Sequence, residues 1–314
     1  MVPHHRIYRV ALVLLLAAFA HAITDQDNHV LLASDPVPSI AAKRAKIGTE
    51  LERGQEFFLR EDWDTAIACY TEVIRLNSSS AVAYYGRGRA YYRNKEYDKG
   101  IADLTEAIRL DPDNKAVYEF RGDAYYKKGD KSKEKGGGSK DARKAFTKAI
   151  KDYTQAIRLD PNNTGAYTSR GNAYFKRNTI GDADKAIKDS SQVIRLDPNN
   201  ADAYHFRGRV HKQKGDWLFA ADESKSDQKR EYDKAIKDSS QAIRLKPDYV
   251  LAYRTRGKAY HRKGEYDKAI KDFTEAIRLD PDNASDYDWR GLAYIKNGDK
   301  QKSRADWDKL KSLR

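Results

Sequence analysis

A reaction centre or metal site in this chain would have to be built from seven histidines, one cysteine and the carboxylates. His4, His5 and His21 lie in the first 22 residues, His29 follows shortly, and His205, His211 and His261 stand far downstream. A metal needs three or four converging ligands, often two His on one helix face with an acid between them, and no spacing here supplies that. Cys69 has no assignable base or electropositive pocket, so it reads as a small buried apolar side chain rather than a nucleophile. The three glycines at 136–138 lack the Gly-Lys-Ser/Thr ending of a phosphate loop, and no Gly-x-Ser-x-Gly elbow occurs. No enzyme activity, cofactor, metal or small-molecule substrate is therefore expected.

The elements that hold these residues announce themselves by repetition. The nonapeptide EAIRLDPDN occurs at 106–114 and again at 275–283, with variants at 72–80, 155–163, 192–200 and 241–249. A recurring interval of 34 residues, stretched to 37 once and to 49 twice, is the mark of a repeat array. Within 81–114, Tyr84, Gly88 and Tyr91 make one helical stripe; Ile101, Leu104 and Ile108 make a second; a polar turn separates them. Asp111-Pro112 ends the second helix, because proline lacks the amide hydrogen and restricts its predecessor. Each unit is thus helix, turn, helix, stop, and the fold class is all-α.

These residues resemble the tetratricopeptide repeat family, with an aromatic at position 4 of the unit, Gly at 8, an aromatic at 11, small residues at 20 and 27, and Pro at 32. In 81–114 these are Tyr84, Gly88, Tyr91, Gly100, Ala107 and Pro112. The resemblance implies a right-handed superhelical solenoid of about seven units: 47–80, 81–114, 115–163, 164–200, 201–249, 250–283 and a capping 284–314. Glu50 and Ser78 depart from the pattern in the first unit and His211 in the fifth. Gly54, Gly88, Gly122, Gly171, Gly208, Gly257 and Gly291 share position 8, which predicts close helix approach there.

Beyond the family pattern, position 7 is Arg in all seven units, at 53, 87, 121, 170, 207, 256 and 290. Position 23 is Asp in six, at 103, 152, 189, 238, 272 and 306, with Cys69 in the first. An arginine beside the packed glycine is half-buried, and a buried charge needs a partner, so six Arg–Asp pairs between the two helices are expected. The two long units are predicted to carry their extra residues as insertions between the helices, at 129–144 and 215–231. The first is a charged glycine-rich loop; the second has Trp217, Leu218 and Phe219 where a turn should be polar, as a lid or a partner contact. The unit at 164–200 needs only a longer turn.

Length and composition agree with an array. Of 314 residues, 39% are apolar and 34% charged, with a formal net charge of +13, a thin core of the kind stacked repeats use. One cysteine excludes an internal disulfide. Residues 1–22, with Arg6 and Arg9, an apolar run and small residues ending at Ala22, read as a secretory signal peptide. An uncleaved anchor is the other reading; with cleavage no transmembrane span is expected. Residues 23–42 read as a flexible leader and 43–314 as the solenoid. The protein is then expected to be exported, periplasmic or secreted.

In the family, positions 5, 9 and 12 of the first helices face a concave groove. Carried over, they give an aromatic row of Phe58, Tyr92, Tyr126 and Phe175, and a cationic cluster of Arg209, Lys212, Arg254 and Lys258. Tyr85, Arg89 and His261 also face the groove. That lining suits a protein or extended peptide with apolar side chains and an acidic stretch. Leu51 and Gln55 stand where some members carry a Lys-and-Asn clamp for acidic tails, so that clamp is not expected. The leading reading is a non-catalytic exported scaffold. The alternative is a binder of acidic polymers or a membrane surface through net positive charge. Nucleic acid is disfavoured, because the basic residues are spread over all repeats among 47 acids.

Overall fold

The computed structural model describes residues 37–134, 139–179 and 181–313. Among these, fourteen α-helices alternate with short turns. They fall into two bodies, divided between Pro112 and Asp113. The first body holds α1 (Val37–Leu59), α2 (Trp63–Leu76), α3 (Ala81–Arg93) and α4 (Tyr97–Leu110). The second holds α5 (Lys115–Glu134), α6 (Ser139–Leu159), α7 (Thr164–Arg177), α8 (Asp182–Leu196), α9 (Ala201–Ala220), α10 (Lys225–Leu245), α11 (Val250–Lys263), α12 (Tyr266–Leu279), α13 (Ala284–Lys296) and α14 (Lys300–Ser312). The expected signal peptide at 1–22 and most of the expected leader lie outside the described residues. The leader's last six residues are helical, since α1 starts at Val37; Pro38 sits in its first turn, where a missing amide hydrogen breaks no bond.

The Asp-Pro-x-Asn junctions do two jobs. Proline stops one helix, and the asparagine two residues later caps the next: Asn163 and Asn200 accept the amide hydrogens of Ala166 and Ala203, each at 2.9 Å. Ser80 caps α3 in the same way, through Ala83.

In five of the seven hairpins the position 8 glycine is a socket for a large side chain of the second helix. A Cβ at Gly54 would meet the Tyr70 ring at 2.9 Å, at Gly122 the Tyr153 ring at 2.8 Å, at Gly257 the Phe273 ring at 3.0 Å, and at Gly291 the Trp307 ring at 2.7 Å. All four rings occupy position 24, one turn beyond the small residue at position 20. Close backbone approach, the reason expected from sequence, appears at Gly208, where position 24 is Ser239 and the Ala235 carbonyl oxygen is 3.1 Å away, and at Gly100, 3.0 Å from the Gly88 carbonyl oxygen.

All six expected Arg–Asp pairs form, and each is a two-pronged fork. Arg87 donates to Asp103 at 2.7 and 2.8 Å; Arg121 to Asp152 at 2.9 and 2.7 Å; Arg170 to Asp189 at 2.9 and 2.7 Å. Arg207 with Asp238, Arg256 with Asp272 and Arg290 with Asp306 repeat the geometry at 2.6–2.9 Å. The aspartates are buried, and the arginines expose about a fifth of their side chains or less. Burial pushes the carboxyls of Asp152, Asp189 and Asp272 up, against the pull of their arginines.

The same guanidinium also reaches backwards. Arg87, Arg170, Arg207, Arg256 and Arg290 donate a third bond, at 3.0–3.2 Å, to the hydroxyls of Thr71, Thr154, Ser191, Ser240 and Thr274 on the second helix of the preceding unit. Their planes lie over the position 4 tyrosines, as Arg256 over Tyr253 at 5.6 Å. A second tie joins position 18 to position 14 of the next unit: Asp184 with Lys214 and Asp233 with Lys263, both at 2.6 Å, and Asp267 with Asn297 at 2.8 Å. Arg53, in the first unit, pairs instead with Glu50 of its own helix at 2.7 Å. Cys69 is buried, and burial pushes its thiol up.

Among the described residues the two insertions are largely helical; residues 135–138 of the first lie outside them. In both long units the extra residues lengthen both helices: α5 and α6 have 20 and 21 residues, as do α9 and α10, against 13 and 14 in α3 and α4. Seven extra residues per helix are two turns, so the packing faces stay in phase and the hairpin tips project by about 10 Å. A second glycine socket fills the added layer, Gly129 against Phe146 and Gly215 against Tyr232. Trp217 and Phe219 therefore lie on α9, 36% and 55% exposed, with Arg262 of α11 over the Phe219 ring at 5.2 Å. No glycine or proline interrupts 216–220, so the helix runs on through Trp217 and Phe219 to Ala220.

The socket predicts that Gly257→Leu, by overpacking against Phe273, lowers stability by about 1–3 kcal/mol. Thermal unfolding followed by circular dichroism checks this; an unchanged midpoint would refute it.

Candidate partner-binding groove

Neighbouring first helices touch one another, α1 with α3 in the first body, and α5 with α7, α9 with α11 and α11 with α13 in the second. Their side chains at positions 5, 9 and 12 therefore share one wall in each body.

In the first body the wall is an arginine laid on rings. The Arg89 guanidinium carbon stands 4.3 Å from the Phe58 ring centre and 5.1 Å from that of Tyr85. Phe58 also meets Trp63 edge-on at 5.0 Å and belongs to a core cluster with Tyr70, Ala66 and Ala90. It is only 7% exposed, which corrects its assignment as groove surface. Tyr92 is half-buried, its ring tilted against Tyr97 at 6.0 Å. Tyr85, Arg89 and Tyr92 are what this body offers.

The second body repeats the device with α7 and α9. Arg209 lies 4.4 Å over Phe175 and 5.2 Å over Phe206. Its Nε is buried without a hydrogen-bond partner, it makes no ion pair among the described residues, and burial pushes its pKa down. Tyr126 packs edge-on against Phe146 at 5.4 Å, and burial raises its hydroxyl to about 12. Aromatic row and cationic cluster are thus not two zones, since an arginine sits directly on the row.

The cluster itself is smaller than the sequence suggested. Arg254 is held by Asp286 at 2.6–2.9 Å and by Asp280 at 2.6 Å. Lys212 is held by Asp216, one turn on in the same helix, at 2.6 Å. Both are neutralised from within, because acids at position 3 of the next unit and at the foot of the long hairpin swing onto them. His261 stands edge-on to Tyr266 and Trp289, both at 5.4 Å, with its ring nitrogens buried and unpaired, an aromatic nest rather than a groove contact. Lys258 is left, its ammonium 5.2 Å over the Trp289 ring. Burial pushes its pKa down, with Lys212 and Arg254 adding to the effect. Beyond it, Leu292 and Ile295 of α13 are 36% and 39% exposed at positions 9 and 12.

Two residues that carry this wall, Phe206 and Trp289, occupy position 6. The only signal for them was a large aromatic at position 6, which Phe120 shares and which is Glu, Gly, Ser or Thr in the other units. His205, at groove position 5, is instead buried in a polar knot. The Tyr249 hydroxyl donates to Asp202 and is 3.1 Å from His205 Nδ1, while Nε2 is 3.3 Å from the Thr255 hydroxyl. Burial, reinforced by Arg209, lowers the His205 pKa to about 4. The position 11 histidine, His211, is 2.7 Å from the buried Glu231. Burial would raise the Glu231 carboxyl, but hydrogen bonds from His211 and Lys234 outweigh it and hold it at about 2.

Among the described residues no group of three or more His, Cys, Asp or Glu is placed to hold a metal, and no helix is long and apolar enough to cross a membrane.

Models described as "Tetratricopeptide repeat" and "TPR repeat" match residues 51–114 and 96–134, and residues 142–178, 228–264 and 257–298. The chain belongs to the tetratricopeptide repeat family. No curated protein sequence matches it. Among solved structures it is similar to the C-terminal part of a repeat protein from Cytophaga hutchinsonii, at 19% identity and a TM-score of 0.61, covering 84% of this chain and 95% of that one. A tetratricopeptide repeat protein from Parabacteroides merdae gives 17% and 0.59, covering 86% and 93%. YrrB, described as a TPR protein with an unusual peptide-binding site, gives 18% and 0.52, covering 73% and 97%. These likenesses establish the all-α repeat fold.

The knot around His205 sets a pH dependence. The folded pKa lies below the ordinary value of about 6.5, so this contribution is full above that pH. It is lost as pH falls towards 4, by up to about 3 kcal/mol. Urea unfolding at about pH 7 and about pH 4.5 should show this loss, and His205→Gln should flatten it. Equal slopes in both proteins would contradict the assignment.

Proposed function

We propose that the chain is a non-catalytic scaffold that takes an extended peptide or protein segment against its first helices. The segment carries a carboxylate beside apolar side chains. One observation carries this reading. Arg209 and Lys258, at position 9 of touching helices α9 and α11, are half-buried cations resting on aromatic rings with no carboxylate partner among the described residues. A charge removed from water without a counterion is unfavourable; a bound carboxylate relieves it. Leu292 and Ile295, exposed in the next unit, offer the adjoining apolar contact. Tyr85, Arg89 and Tyr92 give the first body a contact surface of similar chemistry. The likeness to YrrB, whose description names a peptide-binding site, supports a peptide ligand. Arg254 and Lys212 serve the fold in this reading, so the partner needs a single carboxylate rather than an acidic run. The N-terminal 22 residues support export to the periplasm or beyond.

Selection of a random displayed peptide library against the chain should enrich an acidic residue next to aliphatic or aromatic ones. Arg209→Gln with Lys258→Gln should weaken the enriched peptide about tenfold or more while leaving circular dichroism unchanged. Enrichment of peptides without acids, or unchanged affinity in the double variant, would overturn the proposal.

A further inference from the structure

The outward side of the second helices carries a pattern that the peptide groove does not use. In three consecutive units, positions 22, 26 and 29 read Lys, Gln, Arg: Lys151-Gln155-Arg158 on α6, Lys188-Gln192-Arg195 on α8, and Lys237-Gln241-Arg244 on α10. The spacing i, i+4, i+7 sets each triad on one stripe of its helix. All six cations are exposed, and none makes an ion pair among the described residues.

The units outside this block differ. The first two have Ala68 and Ala102 at position 22, and Glu72 and Glu106 at position 26. There the acid pairs with Arg75 at 2.7 Å and Arg109 at 2.6 Å. In the sixth unit Glu275 neutralises Arg278 in the same way, at 2.6 Å. Where position 26 is Gln, the arginine donates to an amide instead, as Arg195 to Gln192 at 2.9 Å, and keeps its charge unopposed.

The count of acids in the chain overstates what faces this stripe. Asp152, Asp189 and Asp238, next in sequence to the three lysines, are buried and forked by arginines of the first helices. Asp184 and Asp233, one turn before Lys188 and Lys237, are tied to Lys214 and Lys263 of the following unit. On α10 the stripe runs on into a shallow open recess lined by Lys229, Arg230, Asp233, Lys234 and Lys237. On α6 it continues through Lys144 and Lys140, also exposed.

We infer that the outer face of α6, α8 and α10 binds a linear acidic polysaccharide. Regularly stacked repeats place the three triads in line along the second body. Adjacent helices pack about 8–10 Å apart, so successive second helices, with one first helix between, stand within about 20 Å of each other. One polyanionic chain can cross all three. The lysines and arginines meet its carboxylates or sulfates, and each glutamine amide offers hydrogen bonds to hydroxyls between them.

The surface argues against the other polyanions. Every exposed large apolar side chain of the described residues, Leu59, Trp217, Phe219, Leu251, Leu292 and Ile295, lies on a first helix. The stripe therefore has no ring on which nucleic acid bases could stack and no apolar wedge for a bilayer.

The test uses the full chain with heparin and alginate as probes and a double-stranded DNA of similar charge as comparison. The variant Lys151→Gln, Lys188→Gln, Lys237→Gln should bind both polysaccharides about tenfold more weakly, with a salt dependence reduced by about two to three charges. Lys99→Gln, Lys268→Gln, Lys302→Gln removes the same charge elsewhere, and should bind like the parent. Circular dichroism confirms that both variants remain folded. Absence of polysaccharide binding, equal loss in both variants, or tighter binding of the DNA at the same salt would overturn the inference. The peptide measurement on Arg209 and Lys258 is independent of each of these outcomes.

Discussion

One guanidinium, repeated at position 7 of each unit, fixes how the hairpins are built and how they stack. It forks an aspartate on its own second helix, as Arg256 does Asp272, and donates once more to a hydroxyl on the second helix before it, as Arg256 does to Ser240. It also lies on a tyrosine one turn earlier in its own helix. Three helices are thereby registered by a single planar group, which a flexible lysine could not reproduce. Three of these hydroxyls, on Thr71, Thr154 and Ser191, in turn back-bond to carbonyls one turn earlier, as Thr154 does to Ile150 at 2.7 Å, so their orientation is fixed as well. Arg53, at the start of the array, has neither a preceding unit nor an aspartate at position 23. Its bond to Glu50 within one helix shows what the arginine does without those partners.

This constraint explains which parts of the molecule could be read in advance. The Arg–Asp forks were legible because position 7 adjoins the packed glycine and a charge there must be answered. The glycines were legible as a steric requirement, but their partner was not. Whether Gly257 meets a backbone or the Phe273 ring depends on the residue at position 24, a link visible only once the two helices are paired. The long units misled because their extra residues, which begin at Gly129 and Gly215, fall where the shorter units have their turn. In place, each glycine is a socket for an aromatic two turns beyond the usual layer. The groove cations were hardest. Asp216 lies four residues from Lys212, but Asp286 lies 32 from Arg254, at a position that resembles a helix cap.

The forks also divide labour between the two faces. They withdraw six aspartates from the surface, so the outward lysines and arginines of α6, α8 and α10 face solvent with few acids beside them. On the inner side, Arg209 and Lys258 rest on Phe175 and Trp289, where ring faces attract a cation without discharging it. A rigid frame held by one class of ion pair leaves a second class of cations available for partners.

The direct test of the frame is a double-mutant cycle on Arg256 and Asp272, using Arg256→Met, Asp272→Asn and the pair, with stability from urea unfolding. Either single change leaves one buried charge unanswered and should destabilise by about 3 kcal/mol, while the double variant should lose less than the sum by at least about 1 kcal/mol. Additive losses would mean that the two side chains do not act together, and the account of the repeat would be wrong.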